Sequence, residues 1–223
     1  MDDRLNPGLG HPSFLVRVAI RDAVVAFPDA LRSRPDGTTV LDIGCWKAPY
    51  RDIFTARGLR HVGFDIANHG GADVVGPTCG LSFRDMSVDA IICTQVLQEA
   101  DSPVLLIAEM RRVLKRGGRL LLTTPGAYSM YSDRDRWRWS AAGLRELFAD
   151  WDDVTVTPQG GGVQCCLQLA MRTLAILAGQ RPRRLGAIRA IAVPLMNLIA
   201  PRIDRALYLE TLTVNYAVSA RRR

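Results

Sequence analysis

The sequence predicts an α/β protein built on a mostly parallel sheet with helices on both faces. Three observations carry that expectation. Strand-like and helix-like segments alternate from residue 38 to residue 125. The segment "VDAIICTQV" is apolar almost throughout, as a strand covered on both faces must be. Breakers such as "RPDG", Gly58 and Gly117-Gly118 separate the elements.

Taken in order, "PSFLVRVAIRDAVVAF" is expected to be a helix, with Ser13 at its cap and Val16, Ile20 and Val24 at helical spacing. After "RPDG" comes a short buried strand, "TTVLDIG", then a helix in "YRDIFTARG" stopped by Gly58. "RHVGFDIA" is a second strand, "ADVVG" a short third and "VDAIICTQV" a fourth. The next helix is capped by Asp101 or Ser102, starts on Pro103 and carries the stripe Leu106, Met110, Val113 and Leu114. Glu109 and Arg112 are spaced to pair on its surface, and Gly117 and Gly118 are expected to end it. "RLLLTTP" is strand five, and "SAAGLRELFADW" is a helix capped by Ser140. "DVTVTP" and "LTVNYAVSA" are strands six and seven. The long segment between them holds two apolar, arginine-bearing helical stretches, and Pro194 is expected to kink or end the second. The chain of 223 residues thus divides into an N-terminal helical segment (1–37), an α/β core (38–159), a helical cap or insertion (160–206) and a final strand with a basic tail (207–223).

Composition narrows the function classes. With 48% apolar and 23% charged residues the chain is an ordinary globular protein. Its net charge of +7 suits nucleic acid, anionic lipid or acidic substrates, but no nucleic-acid-binding motif accompanies the charge, so no specific nucleic-acid partner is expected. Cys45, Cys79, Cys93, Cys165 and Cys166 form no C-x-x-C pair, which speaks for a reducing compartment and against a zinc site. No uninterrupted apolar run reaches the ~18 residues of a membrane span, and "MDDRLNPG" is no charged-then-apolar leader. The expected location is cytoplasmic, with contact to a membrane surface or a second subunit through 160–206 left open.

The stretch "VLDIGCWKAPY" is where chemistry is expected. A strand that ends in glycine at a strand-to-helix turn brings backbone amides to the carboxyl edge of the sheet, where open α/β sheets bind ligands. Asp65, at the end of strand two, follows Gly44 by 21 residues, near the ~20 residues usual for an acid that accepts from both ribose hydroxyls. Strand–glycine pairs are common, however, and an acid at a strand end also caps helices. The absence of G-x-G-x-x-G disfavours a dinucleotide.

Together, "VLDIGCWKAPYRDIF", "VGFDIA", "SFRDMSVDAIICTQVLQEADSP", "EMRRVLKRGGRLLLTTPG" and "DRWRWSAAGLRELF" resemble, in this order, the class I S-adenosylmethionine-dependent methyltransferases of the type 11 group. The resemblance covers residues 38 to 150 and the final strand. It implies a Rossmann-like seven-stranded sheet with strand seven antiparallel between five and six. It also implies that Asp42, Gly44, Cys45 and Trp46 form the first cofactor loop, that Asp65 holds the ribose with Ile66 against the adenine, and that Thr94, Gln95 and Val96 line the floor near the sulfonium. The chain departs from the pattern at four places: Trp46 stands for the second loop glycine, Pro77 for a polar residue, Gln98-Glu99 for Glu-His, and Met130 for His. Trp46 is expected either to crowd the methionine part or to swing outward as a lid.

On the acceptor side Tyr131, Asp133, Asp135 and Arg138 follow strand five and are the candidates to orient an acceptor or take its proton. A merely solvated loop, with Trp137 and Trp139 as packing aromatics, is the bland alternative. The functional expectation is methyl transfer from S-adenosylmethionine to a small-molecule acceptor of apolar character. The rivals are a degenerate, non-catalytic member of the same fold and a peripheral membrane protein.

Overall fold

The computed structural model describes residues 4–31, 37–130 and 132–223, with Arg183 lacking a described side chain. The strands are β1 (Thr39–Ile43), β2 (Arg60–Asp65), β3 (Val74–Val75), β4 (Val88–Thr94), β5 (Leu114–Pro125), β6 (Asp152–Pro158) and β7 (Asn215–Arg221). The helices are α1 (Phe14–Ala26), α2 (Arg51–Thr55), α3 (Pro103–Val113), α4 (Ala141–Leu147), α5 (Gly162–Gln180) and α6 (Pro182–Ala206), with a 3₁₀ segment at Phe27–Leu31. The seven strands lie in the order β3-β2-β1-β4-β5-β7-β6. β1 to β5 are parallel, and β7 runs antiparallel to both β5 and β6. This is the predicted architecture, strand seven included.

Alternation along the strands builds two cores. Val40, Ala90, Ile92 and Leu121 face α1, the 3₁₀ segment and α2, where Val16, Ile20, Val24, Phe27 and Phe54 cover them. Their neighbours Leu41, Ile43, Ile91, Cys93, Leu120 and Leu122 face α3 and α4, under Leu106, Met110, Leu144 and Phe148. The period of two along buried strands therefore assigns each residue to one of two helical layers.

Local signals fare unevenly. Ser102 caps α3 by accepting from the Leu105 amide, Pro103 opens the helix, and Ser140 caps α4 through the Gly143 amide. Arg112 meets Glu109 at 2.7 Å and also reaches the Leu81 and Phe83 carbonyls, tying the loop before β4 to α3. Ser13 sits at the start of α1 without a capping bond; its hydroxyl lies 2.7 Å from that of Tyr128 instead. Gly117 and Gly118 do not end α3. The chain is already extended at Leu114, which pairs with Val88, and the two glycines lie inside β5, exchanging backbone bonds with Arg222. Nor does Pro194 end the second insertion helix. α6 runs through both Pro194 and Pro201, packed along α5.

One polar pair is sealed in the core. His61 Nε2 lies 3.1 Å from Asp42 Oδ2, both side chains almost fully buried, and Asp42 Oδ1 and His61 Nδ1 have no hydrogen-bond partner. Burial pushes the Asp42 carboxyl above the usual carboxylate range; the contact with His61 offsets this only in part. A raised value means that the folded state holds the proton more tightly than the unfolded chain. The associated stability is complete below the ordinary value of ~3.9 and is lost as pH rises through the elevated value. Asparagine cannot ionise. Asp42→Asn is therefore expected to be at least as stable as the parent at neutral pH, with its advantage shrinking as pH falls toward ~4, as read by urea denaturation across that range.

Candidate functional site

The carboxyl ends of β1, β2 and β4 open into a cavity of about 740 Å³, within the ~300–1,000 Å³ of small-molecule clefts. Its sheet side is formed by Gly44, Trp46, Phe64, Asp65, Ile66, Thr94, Gln95 and Val96. The opposite wall comes from α1 and the segment before it, through Arg4, Ser13, Val16, Arg17 and Ile20. Ser132, Arg134 and Arg136 complete the rim. No residue of 160–206 is among the lining residues, so the structure gives the covering role to α1 and not to the insertion.

The turn after β1 explains how a tryptophan replaces a glycine. Gly44 has φ +75, and a Cβ there would meet Val96 Cγ2 at 2.1 Å. Trp46 has φ +53 and Ala48 +50, so both non-glycine residues adopt the left-handed conformation that glycine favours. The loop 46–48 also crosses directly over Gly71, where a Cβ would come within 2.6 Å of three of its backbone atoms. The turn is held by its own backbone. The Gly44 and Cys45 amides donate to the Phe64 carbonyl, and the Trp46 amide donates to Asp65 Oδ2 at 2.8 Å. The Trp46 ring is 38% exposed and lies against His69, ring centroids 3.7 Å apart, with the Arg4 guanidinium 5.9 Å from its centroid. It flanks the cavity mouth.

Of the loop residues singled out in the sequence, Gly44, Trp46, Asp65, Ile66, Thr94, Gln95 and Val96 meet at this cavity. Asp42 does not; it points into the core toward His61. Cys45 is buried beneath the loop as well. Burial, with Asp42, Asp65 and Asp73 nearby, pushes its thiol up to about 12, so it stays protonated. On the acceptor side Tyr131 lies outside the described residues. Asp133 is exposed and is not among the lining residues, although Ser132 and Arg134 on either side are. Asp135 is buried and receives Arg138, which also donates to the Tyr128 carbonyl at 3.1 Å; the pair pins the loop and does not line the cavity.

Further residues reach the site, among them Gln98 and Glu99, noted in the sequence only as a departure from the family pattern. Gln98 lines the cavity; its Nε2 donates to the Gln95 carbonyl, while its Oε1 is buried without a partner. Glu99 is a lining carboxylate whose Oε1 accepts from the Ser132 hydroxyl at 3.3 Å. A relay of amides braces the site. Gln95 Nε2 donates to Asn215 Oδ1 at 2.9 Å, Asn215 Nδ2 to Gln159 Oε1 at 2.6 Å, and Gln159 Nε2 to the Ala19 carbonyl at 3.0 Å. It links the tip of β4 to α1 across residues far apart in sequence, which no local pattern signals. Among the described residues no cluster of three His, Cys, Asp or Glu side chains is placed for a metal ion.

Residues 41–122 match the family model described as a methyltransferase domain. The α/β core of this chain is similar to class I S-adenosylmethionine-dependent methyltransferase domains. An uncharacterised methyltransferase of Mycobacterium sp. (strain KMS) is 33% identical over 104 residues, 42% of this chain and 41% of that protein. A probable S-adenosylmethionine-dependent methyltransferase of Mycolicibacterium smegmatis is 28% identical over 143 residues, 60% of this chain and 54% of its own. The chain thus spans well under two thirds of the relatives it matches. Phosphoethanolamine N-methyltransferase 2 of Haemonchus contortus, solved in complex with S-adenosyl-L-methionine, shares the fold at a TM-score of 0.58 and 16% identity, over 90% of this chain and 52% of that one. The matched methyltransferase segment contains most of β1, all of α2, β2, β3, β4 and α3, and most of β5, hence the whole sheet side of the cavity.

The turn is expected to tolerate its two special positions differently. Gly44→Ala meets both the left-handed penalty of ~1–2 kcal/mol and the clash with Val96. It should lower the melting temperature and distort the cavity. Trp46→Gly exchanges relief of that same strain for loss of a ring contact worth ~0.5–1.5 kcal/mol. Its stability should stay within ~1 kcal/mol of the parent, measured by denaturant titration.

Proposed function

We propose that this chain binds S-adenosylmethionine in the cavity at the β1, β2 and β4 ends and transfers its methyl group to a small-molecule acceptor entering between α1 and the 132–136 loop. The observation that carries the reading is Asp65. One oxygen of its carboxylate is committed to the Trp46 amide, while the other has only a long, 3.4 Å contact with the Ala67 amide and faces a cavity of cofactor size. A carboxylate so placed can accept from a ribose hydroxyl pair.

The residues present fit the cofactor. Exposed Ile66 supplies an apolar edge beside Asp65, and the close approach of Val96 to Gly44 keeps position 44 free of a side chain. Thr94, Gln95 and Val96 form an uncharged floor, free of a fixed cation that would oppose a sulfonium. Bound there, the cofactor supplies an electrophilic methyl group. The chain's part is positioning and exclusion of water. Val16 and Ile20 of α1 close over the floor, and the amide relay from Gln95 to Ala19 fixes the distance between them. Val16 and Ile20 give the acceptor an apolar wall, while Arg17 and Arg134 favour an acceptor that also carries negative charge. On this side Asp101 is neutralised by Arg136, which leaves Glu99 as the carboxylate able to accept a proton from the acceptor.

Isothermal titration with S-adenosylmethionine and its demethylated product tests the reading. The parent should bind both. Asp65→Ala should lose ~1.5–3 kcal/mol of affinity and some stability, because the Trp46 amide loses its acceptor. Asp65→Asn keeps an acceptor for that amide but not the charge, so it should lose affinity while melting like the parent. Absence of heat with the folded parent, or unchanged affinity in both variants, contradicts the proposal.

A further inference from the structure

The insertion leaves an apolar helix face uncovered on the side away from the protein. α6 turns Val193, Asn197, Ala200 and Asp204 inward, all buried. Its opposite face carries Ile188, Ile191, Leu195 and Leu198, between 46% and 71% exposed, at successive spacings of three and four residues. The stripe is ~15 Å long at 1.5 Å per residue. Arg184 and Arg202 continue the same spacing at its two ends and bracket it. An apolar stripe opposite a face that is already buried is in want of a cover of its own. By length and composition, α5 and residues 184–206 of α6 would each suffice to cross a membrane, yet only 28% and 17% of the respective windows is buried. The expectation that no segment reaches that length counted uninterrupted apolar runs; isolated Arg and Gln residues break the runs without breaking the helices.

Charge decides between covers. Between residues 160 and 206 the sequence holds seven arginines and one acid, Asp204. Asp204 is buried and accepts from the Gly161 and Gln164 amides, so it is spent inside the hairpin. A second copy laid on the stripe would bring Arg184 or Arg202 against another arginine, whichever way it ran, with no carboxylate from the stripe to separate them. A surface of anionic headgroups over apolar chains meets both features at once. Insertion end-on would bury Arg172, midway along α5, and the arginines at the tip; lying flat lets Arg184 and Arg202 reach headgroup phosphates while the stripe enters the acyl boundary.

We propose that the outer face of α6 is a membrane-docking surface that lies in the plane of an anionic bilayer. Asn197 of the same helix donates to the Leu9 and His11 carbonyls of the segment leading into α1. Docking therefore takes place on a helix joined to the wall of the cavity, and an amphiphilic acceptor held in the bilayer would arrive beside it. The proposal stands independently of cofactor binding.

Flotation of the full-length chain tests it, with vesicles of phosphatidylcholine alone and of phosphatidylcholine mixed equally with phosphatidylglycerol. The chain should float with the mixed vesicles, and less with the neutral ones or in high salt. Ile191→Ser/Leu195→Ser, exposed positions whose exchange leaves the core intact, should lower vesicle binding about tenfold or more, as expected for two apolar side chains removed from the acyl boundary. Arg184→Glu/Arg202→Glu should weaken binding to mixed vesicles only. Circular dichroism and S-adenosylhomocysteine titration verify that each variant is folded. No flotation with mixed vesicles overturns the proposal, as does a stable dimer in solution that Ile191→Ser/Leu195→Ser converts to monomer.

Discussion

The ligand edge of this sheet depends on one hydrogen bond, from the Trp46 amide to the Asp65 carboxylate at 2.8 Å. It fastens the turn after β1 to the end of β2, and with the two amides that share the Phe64 carbonyl it holds the loop in a conformation that non-glycine residues resist. Left-handed residues cost ~1–2 kcal/mol each, and a charge-assisted bond of this kind is worth ~1.5–3 kcal/mol. The bond is thus large enough to hold Trp46 where the family pattern has glycine. The same carboxylate braces the loop through one oxygen and lines the cavity.

The parallel core was legible because its signals are local. Buried strands read as apolar runs, Ser102 and Ser140 as caps, and Gly44 and Asp65 as a turn and an acid at a fixed separation. What stayed hidden is set by contacts between distant segments. Asp42 looks like a loop acid until His61 on the neighbouring strand is seen to meet it inside the core. Asp135 and Arg138 look like acceptor ligands but satisfy each other. Gly117 and Gly118 look like a helix stop, yet Arg222, more than a hundred residues on, draws them into β5. The cavity's far wall is α1, which by sequence is only an amphipathic helix ahead of the core.

The segment 160–206, expected to be a helical cap or insertion, contributes no residue to the cavity lining. The folded chain instead packs α5 and α6 against each other and touches the sheet layer near Cys165 and Leu169. The outer face of α6 remains bare. Its connection to the site is indirect, through Asn197 and the backbone at Leu9 and His11. The cavity and the apolar hairpin are thus separate surfaces joined by the N-terminal segment that leads into α1.

The central claim is that the cofactor sits between the turn at Gly44–Trp46, the Asp65 carboxylate and α1. Amide hydrogen exchange with and without S-adenosylhomocysteine tests it most directly, because exchange reports local opening segment by segment. The account predicts slower exchange in 44–50, 65–69 and 14–26 when the ligand is present, with 162–206 unchanged. Protection confined to 162–206, or none in 44–50 at saturating ligand, would contradict it.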